Sequence, residues 1–313
     1  MEGKSKLFED VTNVLFIKLG RKGGYEEDSI ENNVIRLSYD TVDHELCVSK
    51  AWDKVKEYFM DVEKKSKKVA SFHTNQIKHF YEAGENTLWI TFYKNKLWWC
   101  FSKPEIKLLK DKTKTRQVIG KWSDENIEGK ILSTENISGK LLKTQGFRGT
   151  ICTVPEKKYV LSIIKNEKSK DVIDIEQTIK KLNKQLIKLI ENLQWQDFEI
   201  LVDLIFRQAG WQRLGATGKT QKTIDLELMM PVTGERALVQ IKSQSSKQEF
   251  EKYQKEFEEM NFDKFFYVVN KKNESLDKHA KSINTNVKLI FADKLAELSI
   301  NSGLMNWIIK KTI

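Results

Sequence analysis

Two runs, Ile224-Asp225-Leu226-Glu227-Leu228 and Leu238-Val239-Gln240-Ile241-Lys242-Ser243-Gln244, decide how this chain is read. Each alternates apolar and polar residues, the period of two that marks a half-buried strand. Between them Pro231-Val232-Thr233-Gly234-Glu235 sets a proline and a glycine at turn spacing, so the pair predicts a hairpin. Alternation then puts Asp225 and Glu227 on one face of the first strand, and Gln240, Lys242 and Gln244 on one face of the second. A carboxylate, a carboxamide and an ammonium gathered on neighbouring strands suit a hard divalent cation and a water held against a phosphate. An alternating hairpin is more often a plain solvated face, so the segments around it have to decide.

The segment before the hairpin, 197–211 (DFEILVDLIFRQAGW), carries apolar residues at 198, 201, 202, 205, 206 and 209, a helical stripe. Asp197 serves there as the expected N-cap and Gly210 as the stop. Helix, Gly-Trp, Gly-rich loop, strand with Asp225, hairpin, strand with Gln240-x-Lys242: this order resembles the Mrr-type restriction endonucleases, a branch of the PD-(D/E)xK nuclease superfamily. The resemblance runs from about residue 195 to 296, roughly a third of the chain. It implies Mg2+-dependent hydrolysis of phosphodiesters in double-stranded DNA. It further implies Asp225 as the main metal ligand, with Glu199 from the preceding helix as another. Gln240 supplies a neutral carbonyl oxygen where many members of the superfamily carry a carboxylate, which leaves the site one negative charge short. Lys242 is expected to hold the attacking water or offset the developing charge, with Gln244 a secondary candidate. Lys219, in the loop before the Asp225 strand, is expected near the scissile phosphate.

The rest of this region fits an α/β domain built on a mixed sheet flanked by helices. Residues 246–260 place Phe250, Tyr253 and Phe257 on one helical face, and Phe265-Phe266-Tyr267-Val268-Val269 is apolar throughout, as a central strand should be. Residues 276–283 predict a helix, 287–291 a strand and 292–298 a short helix.

At 313 residues two domains are expected. A formal charge of +10, from 54 Lys and Arg against 44 Asp and Glu, fits a polyanionic partner. Cys47, Cys100 and Cys152 are odd in number and far apart, which reads as reduced thiols. No apolar run approaches the roughly 18 residues of a membrane span, and the N-terminus lacks a signal-peptide core. These features together predict a cytoplasmic protein that does not enter a membrane.

Residues 1–158 differ in character. Strands are expected at 14–20, closed by the turn Arg21-Lys22-Gly23-Gly24, and at 34–39; helices are expected at 52–66 and 71–83. A hairpin rich in aromatics follows, Thr87-Leu88-Trp89-Ile90-Thr91-Phe92-Tyr93 and Leu97-Trp98-Trp99-Cys100-Phe101 across Lys94-Asn95-Lys96. For any one of these rings a place in the core is the commoner use. The alternative is a pocket in which rings sandwich a flipped or modified base. In its opening strand-turn-strand and its WITF…LWW hairpin this half is similar to PUA-like small barrels, including EVE and YTH domains, which implies an α+β modified-base-recognition domain. Trp89, Trp98 and Trp99 are the pocket candidates, with Tyr25 beside the glycine turn. Trp98 and Trp99 fall on opposite faces, so at most one of them lines a given cavity.

The quasi-repeat Glu125-Asn126-Ile127-Glu128-Gly129-Lys130 and Glu135-Asn136-Ile137-Ser138-Gly139-Lys140 suggests successive hairpin strands. Residues 159–194 are expected as a helical connector, with apolar residues at Ile175, Ile179, Leu182, Leu186 and Ile190. That stripe serves most simply as a packing face, and it would also suit a homodimer. The nuclease domain then covers 195–313. Gly215-Ala216-Thr217-Gly218-Lys219-Thr220 mimics the end of a phosphate-binding loop, but position 213 is Arg where the pattern needs Gly. The four histidines show no metal-ligand spacing. The combined expectation is a modification-dependent DNA endonuclease. Its alternatives are a modified-nucleic-acid reader without turnover and a nuclease directed at RNA.

Overall fold

The computed structural model describes residues 8–214, 225–271, 273, 276 and 286–312. The chain divides into two compact units, Met1–Lys168 and Ser169–Ile313.

The first unit opens with β1 (Asn13–Ile17), α1 (Glu26–Glu31), β2 (Val34–Leu37), α2 (His44–Val48), α3 (Trp52–Asp61) and α4 (Lys67–Glu82). It continues with β3 (Thr87–Tyr93), β4 (Lys96–Leu108), β5 (Lys114–Ser123), α5 (Gly139–Leu142), β6 (Ile151–Thr153) and α6 (Lys157–Ile164). Its six strands form one sheet in the order β2-β5-β4-β3-β1-β6, with β1 parallel to β3 and the other pairs antiparallel. Register shifts between Trp99 and Phe101, and between Ser102 and Ile106, bend β4, and such irregularities raise the local twist. The result is a curled half-barrel whose edges are β2 and β6, compatible with the small barrel expected from sequence.

The β3–β4 hairpin forms as the sequence predicts, because Lys94 (φ 48°) and Asn95 (φ 59°) both take the left-handed conformation of a tight hairpin turn. Both faces of the sheet are apolar. Val14, Phe16, Ile90, Trp99 and Phe101 pack with Val160 and Ile164 of α6. Leu15, Ile17, Trp89 and Cys100 pack with Phe80 of α4 on the other side. Ser66 caps α4 through Val69 N, so this helix begins earlier than its apolar stripe suggests. Its C-terminal carbonyls are met by buried Arg116, which donates to Phe80 O at 2.7 Å and Ala83 O at 2.6 Å.

One expectation fails here. Glu125 and Ile131 form a short bridge around Gly129, but Gly139, the equivalent glycine of the second copy, starts α5. Ser138 is an N-cap whose hydroxyl accepts from Lys140 N, so the local signal is helical and the ten-residue similarity is not a strand repeat.

The second unit holds α7 (Lys170–Glu191), α8 (Trp195–Gln208), β7 (Gln212–Arg213), β8 (Leu226–Met229), β9 (Arg236–Lys242), α9 (Lys247–Glu258), β10 (Lys264–Val269), β11 (Val287–Phe291), α10 (Ala292–Asn301) and α11 (Met305–Lys311). The sheet order is β11-β10-β9-β8-β7. The hairpin strands β8 and β9 run antiparallel, while β9, β10 and β11 are parallel, the mixed sheet expected. The apolar strand at Phe265–Val269 is central, between β9 and β11. One sheet face carries Leu226, Leu228, Val239 and Ile241 against α7, α8, α10 and α11, and the other carries Leu238, Phe265, Tyr267 and Val269 against α9. Most of the helix expected at 276–283 lies outside the described residues.

Two further corrections concern the start of this unit. The connector expected at 159–194 divides between the units: α6 belongs to the first, where Val160 and Ile164 are buried, and α7 to the second, where Leu186 and Ile190 are buried; Val172, Ile175 and Ile179 remain exposed. Asp197 does not cap α8, which starts two residues earlier at Trp195 with Gln194 before it. Asp197 pairs with Lys311 at 2.9 Å, a tertiary contact that a local capping rule does not foresee. Among the described residues no helix is long and apolar enough to cross a membrane.

Candidate active site

The β8–β9 ladder ends where Leu226 meets Val239, so Asp225 stands just beyond the last pair, on the side of Gln240. Its carboxylate continues the ladder with a side chain. Oδ2 accepts from the Ile241 backbone N–H at 2.6 Å and from Gln240 Nε2 at 2.5 Å. These bonds set the carboxylate against β9 without a rotamer search at the moment of binding. Because the Gln240 amide donates to Asp225, its carbonyl oxygen is the part left to accept from a ligand. Gln240 is only 5% exposed, pinned between Asp225 and the central strand, where its ladder partner is Tyr267.

Lys242, two residues further along β9, shares the face of Gln240 by alternation. It reaches towards α9, where Nζ donates to the Tyr253 hydroxyl at 2.9 Å and pairs with Glu249 Oε1 at 3.3 Å. The ammonium also lies 4.7 Å from the Tyr253 ring centroid. Burial alone would lower the Lys242 pKa; Tyr253 and Glu249 outweigh it and hold the group above the ordinary lysine value, fully charged. Glu249 is held in turn by Ser245, whose hydroxyl lies 3.1 Å from Oε2 and 2.7 Å from the Tyr267 hydroxyl. The spacing of Phe250, Tyr253 and Phe257 predicts only a packing face for Tyr253 and no role for Glu249. The usable signal was the helix starting five residues after Lys242, which returns its first two turns over the end of β9.

Glu199 on α8 is half-buried. Burial pushes its carboxyl pKa up, and the neighbouring Asp225 charge pushes it further; a hydrogen bond with Trp195 and the Arg213 charge oppose the shift. Asp225 is likewise raised by burial, against the Ile241 N–H, the Lys242 charge and the Gln240 amide. Two carboxylates, Asp225 raising the cost of ionising Glu199, with a carboxamide oxygen beside Asp225, are oxygen donors of the kind a hard divalent cation takes. Gln244 is exposed past the end of β9, and Lys219 lies outside the described residues.

Of the N-terminal aromatics assigned to a pocket, Trp89 and Trp99 lie in the core. Trp89 is fully buried in the sheet core, and Trp99 is 5% exposed with its Nε1 donating to Glu125 O at 2.8 Å. Both rings fill core volume, the commoner role of large aromatics. Trp98 is half-buried on the opposite face from Trp99, as alternation requires, and donates to Tyr93 O at 3.2 Å. Tyr25 packs against Gly20, where a Cβ would lie 2.7 Å from its ring, and carries the Arg36 guanidinium over its face at 4.1 Å.

A search among curated proteins finds no match. A solved structure described as the DNA modification-dependent restriction endonuclease AspBHI is similar over 84% of this chain and 73% of its own, at 12% identity and a TM-score of 0.34. Residues 190–299, which include α8, the β8–β9 hairpin and Lys242, match the Mrr catalytic family described as restriction endonuclease. The second unit of this chain therefore carries a restriction endonuclease domain of the Mrr type.

Proposed function

We propose that the chain is a Mg2+-dependent DNA endonuclease whose first unit senses a modified base. The observation that carries the nuclease part is the Asp225–Gln240 hydrogen bond at the end of β9, with Lys242 on the same face, inside the restriction endonuclease domain. Asp225, Glu199 and the Gln240 carbonyl oxygen would hold the metal, which when bound offsets charge on the phosphate and makes water more acidic. Asp225 needs no reorientation to ligate, because two N–H donors already fix its Oδ2. Lys242 brings a held positive charge to the same face. It stabilises the negative charge that accumulates on the phosphoryl oxygens as the water attacks. The restriction endonuclease family and the +10 formal charge both favour a DNA polyanion as substrate.

The test is a digestion panel of unmodified, methylated and hydroxymethylated duplexes with Mg2+ and with EDTA, run on wild type, Asp225→Ala and Lys242→Ala. Cleavage of modified duplex by wild type in Mg2+ alone, lost in both variants while mobility-shift binding persists, is the expected result. Cleavage at the wild-type rate by either variant would refute the site. Mobility shift without new ends in wild type would make the protein a reader.

A further inference from the structure

Ser246-Lys247-Gln248-Glu249 opens α9 with the pattern of a capping box. In such a box the serine accepts from the backbone N–H of the glutamate, and the glutamate reaches back to the N–H of the serine. Half of it is formed here, with Ser246 Oγ accepting from Glu249 N at 3.1 Å. The Glu249 carboxylate does not return to the Ser246 N–H; among the described residues it is bonded to Ser245 and Lys242. A side chain that the local pattern assigns to its own helix is thus used to join α9 to β9.

The carboxylate stands on a buried foundation. A serine hydroxyl carries a single hydrogen, and a carboxylate only accepts. The Ser245 hydroxyl lies 3.1 Å from Glu249 Oε2 and 3.2 Å from Ser246 O, and the charged oxygen is the stronger acceptor. Donating to Glu249, Ser245 accepts from the Tyr267 hydroxyl at 2.7 Å. Tyr267 is fully buried and Ser245 is 7% exposed. The chain of bonds Tyr267–Ser245–Glu249–Lys242 therefore starts on the central strand, opposite Gln240, and returns to β9 two residues beyond it. Oε2 takes the serine and Oε1 the ammonium, so both oxygens of Glu249 are held.

Long-range electrostatics alone would keep a carboxylate away from this place, since a negative charge near the phosphates of a polyanion opposes binding. Lysine has a flexible stem, and an ammonium that must meet a phosphoryl oxygen has to be held against that freedom. Resting on the reading of Asp225, Gln240 and Lys242 as the cleavage site, we propose that Glu249 is the positioning residue of Lys242, set in place by Ser245 and Tyr267. Tyr253 supplies the second anchor from the same helix, and two anchors fix a stem that one would leave swinging.

The experiment compares wild type, Glu249→Gln, Glu249→Asp, Ser245→Ala and Glu251→Gln in steady-state cleavage with Mg2+, each checked by thermal melting. Glu249→Gln is expected to lower kcat by about fivefold or more, with KM unchanged or lower because a charge repelling the substrate is gone. Glu249→Asp keeps a negative charge in the first turn of α9, where it favours the helix, but withdraws the carboxylate by one methylene. It is expected to melt like wild type and still lose kcat, which a glutamate serving only the helix would not do. Ser245→Ala is expected to lower kcat less than Glu249→Gln. Glu251→Gln, which removes a carboxylate of the same helix paired with Lys247 at 3.6 Å, is expected to leave kcat unchanged. A second readout, in EDTA, needs no cleavage: acetylation of Lys242 followed by mass spectrometry should run at least about threefold faster in Glu249→Gln, with Lys252 unchanged. Wild-type kcat in Glu249→Gln or Glu249→Asp, an equal fall in Glu251→Gln, or unchanged Lys242 acetylation would overturn the inference. With Lys242→Ala inactive and the Glu249 variants at the wild-type rate, the cleavage site stands and only the positioning role falls. Cleavage by Lys242→Ala at the wild-type rate, or none by wild type, removes the site and this inference with it.

Discussion

The Lys242 ammonium is held by the Tyr253 hydroxyl at 2.9 Å, so the charge carried by β9 is aimed by a side chain of α9. Helix and strand thus share one functional group, and the site extends beyond the hairpin that announces it. If Lys242 acts on the phosphate, Tyr253→Phe removes a net contribution of about 0.5–1.5 kcal/mol to its placement. The expected outcome is a fall of roughly three- to tenfold in kcat with KM little changed, measured by steady-state cleavage. An unchanged kcat would show that Lys242 orients without the helix.

Gln240→Glu replaces the amide that donates to Asp225 with a second carboxylate at the same short distance. In EDTA the variant should melt lower than wild type, by about 1–3 kcal/mol, because a charge-assisted hydrogen bond becomes a like-charge contact. Saturating Mg2+ should recover most of that loss, since a bound cation stabilises the native state by mass action. A loss equal with and without Mg2+ would count against Gln240 standing at a metal site.

Burial raises the pKa of Asp225, and burial together with the Asp225 charge raises that of Glu199. A carboxyl whose folded pKa lies above its unfolded value favours the native state fully below the unfolded pKa of about 4. That contribution is lost as pH rises through the raised value. Without metal, Asp225→Asn should therefore gain stability over wild type as pH increases from about 4 to neutrality. Thermal melts in EDTA across that range check the sign; a gap that closes on raising the pH would contradict it.

Trp89 is fully buried, and its Nε1 has no hydrogen-bond partner among the described residues. Trp89→Ala should cost about 3–5 kcal/mol through the cavity it leaves. Trp89→Phe should cost much less, because it also removes a buried donor without an acceptor. Denaturant melts measure both. Neither should alter the preference between modified and unmodified duplex, and a changed preference in Trp89→Phe would return this ring to the base site.

Local pattern was enough for the elements of the second unit. Alternation at 225–228 and 238–242 put Asp225 and Gln240 on their strand faces, and the all-apolar Phe265–Val269 run could only be a central strand. Period and turn chemistry act over a few residues, and a sequence displays them directly. The core positions of Trp89 and Trp99 were hidden for the opposite reason. Trp89 and Trp99 look alike to a periodic reading, and only the packing of α4 and α6 on the two sheet faces makes core residues of both. The reach of Lys242 to Tyr253 and Glu249 and the electrostatic coupling of Glu199 to Asp225 depend on how helices lie over strands. Sequence determined which side chains share a face; tertiary packing decided which faces meet, because distances between elements are set by the whole core and not by any one segment of it.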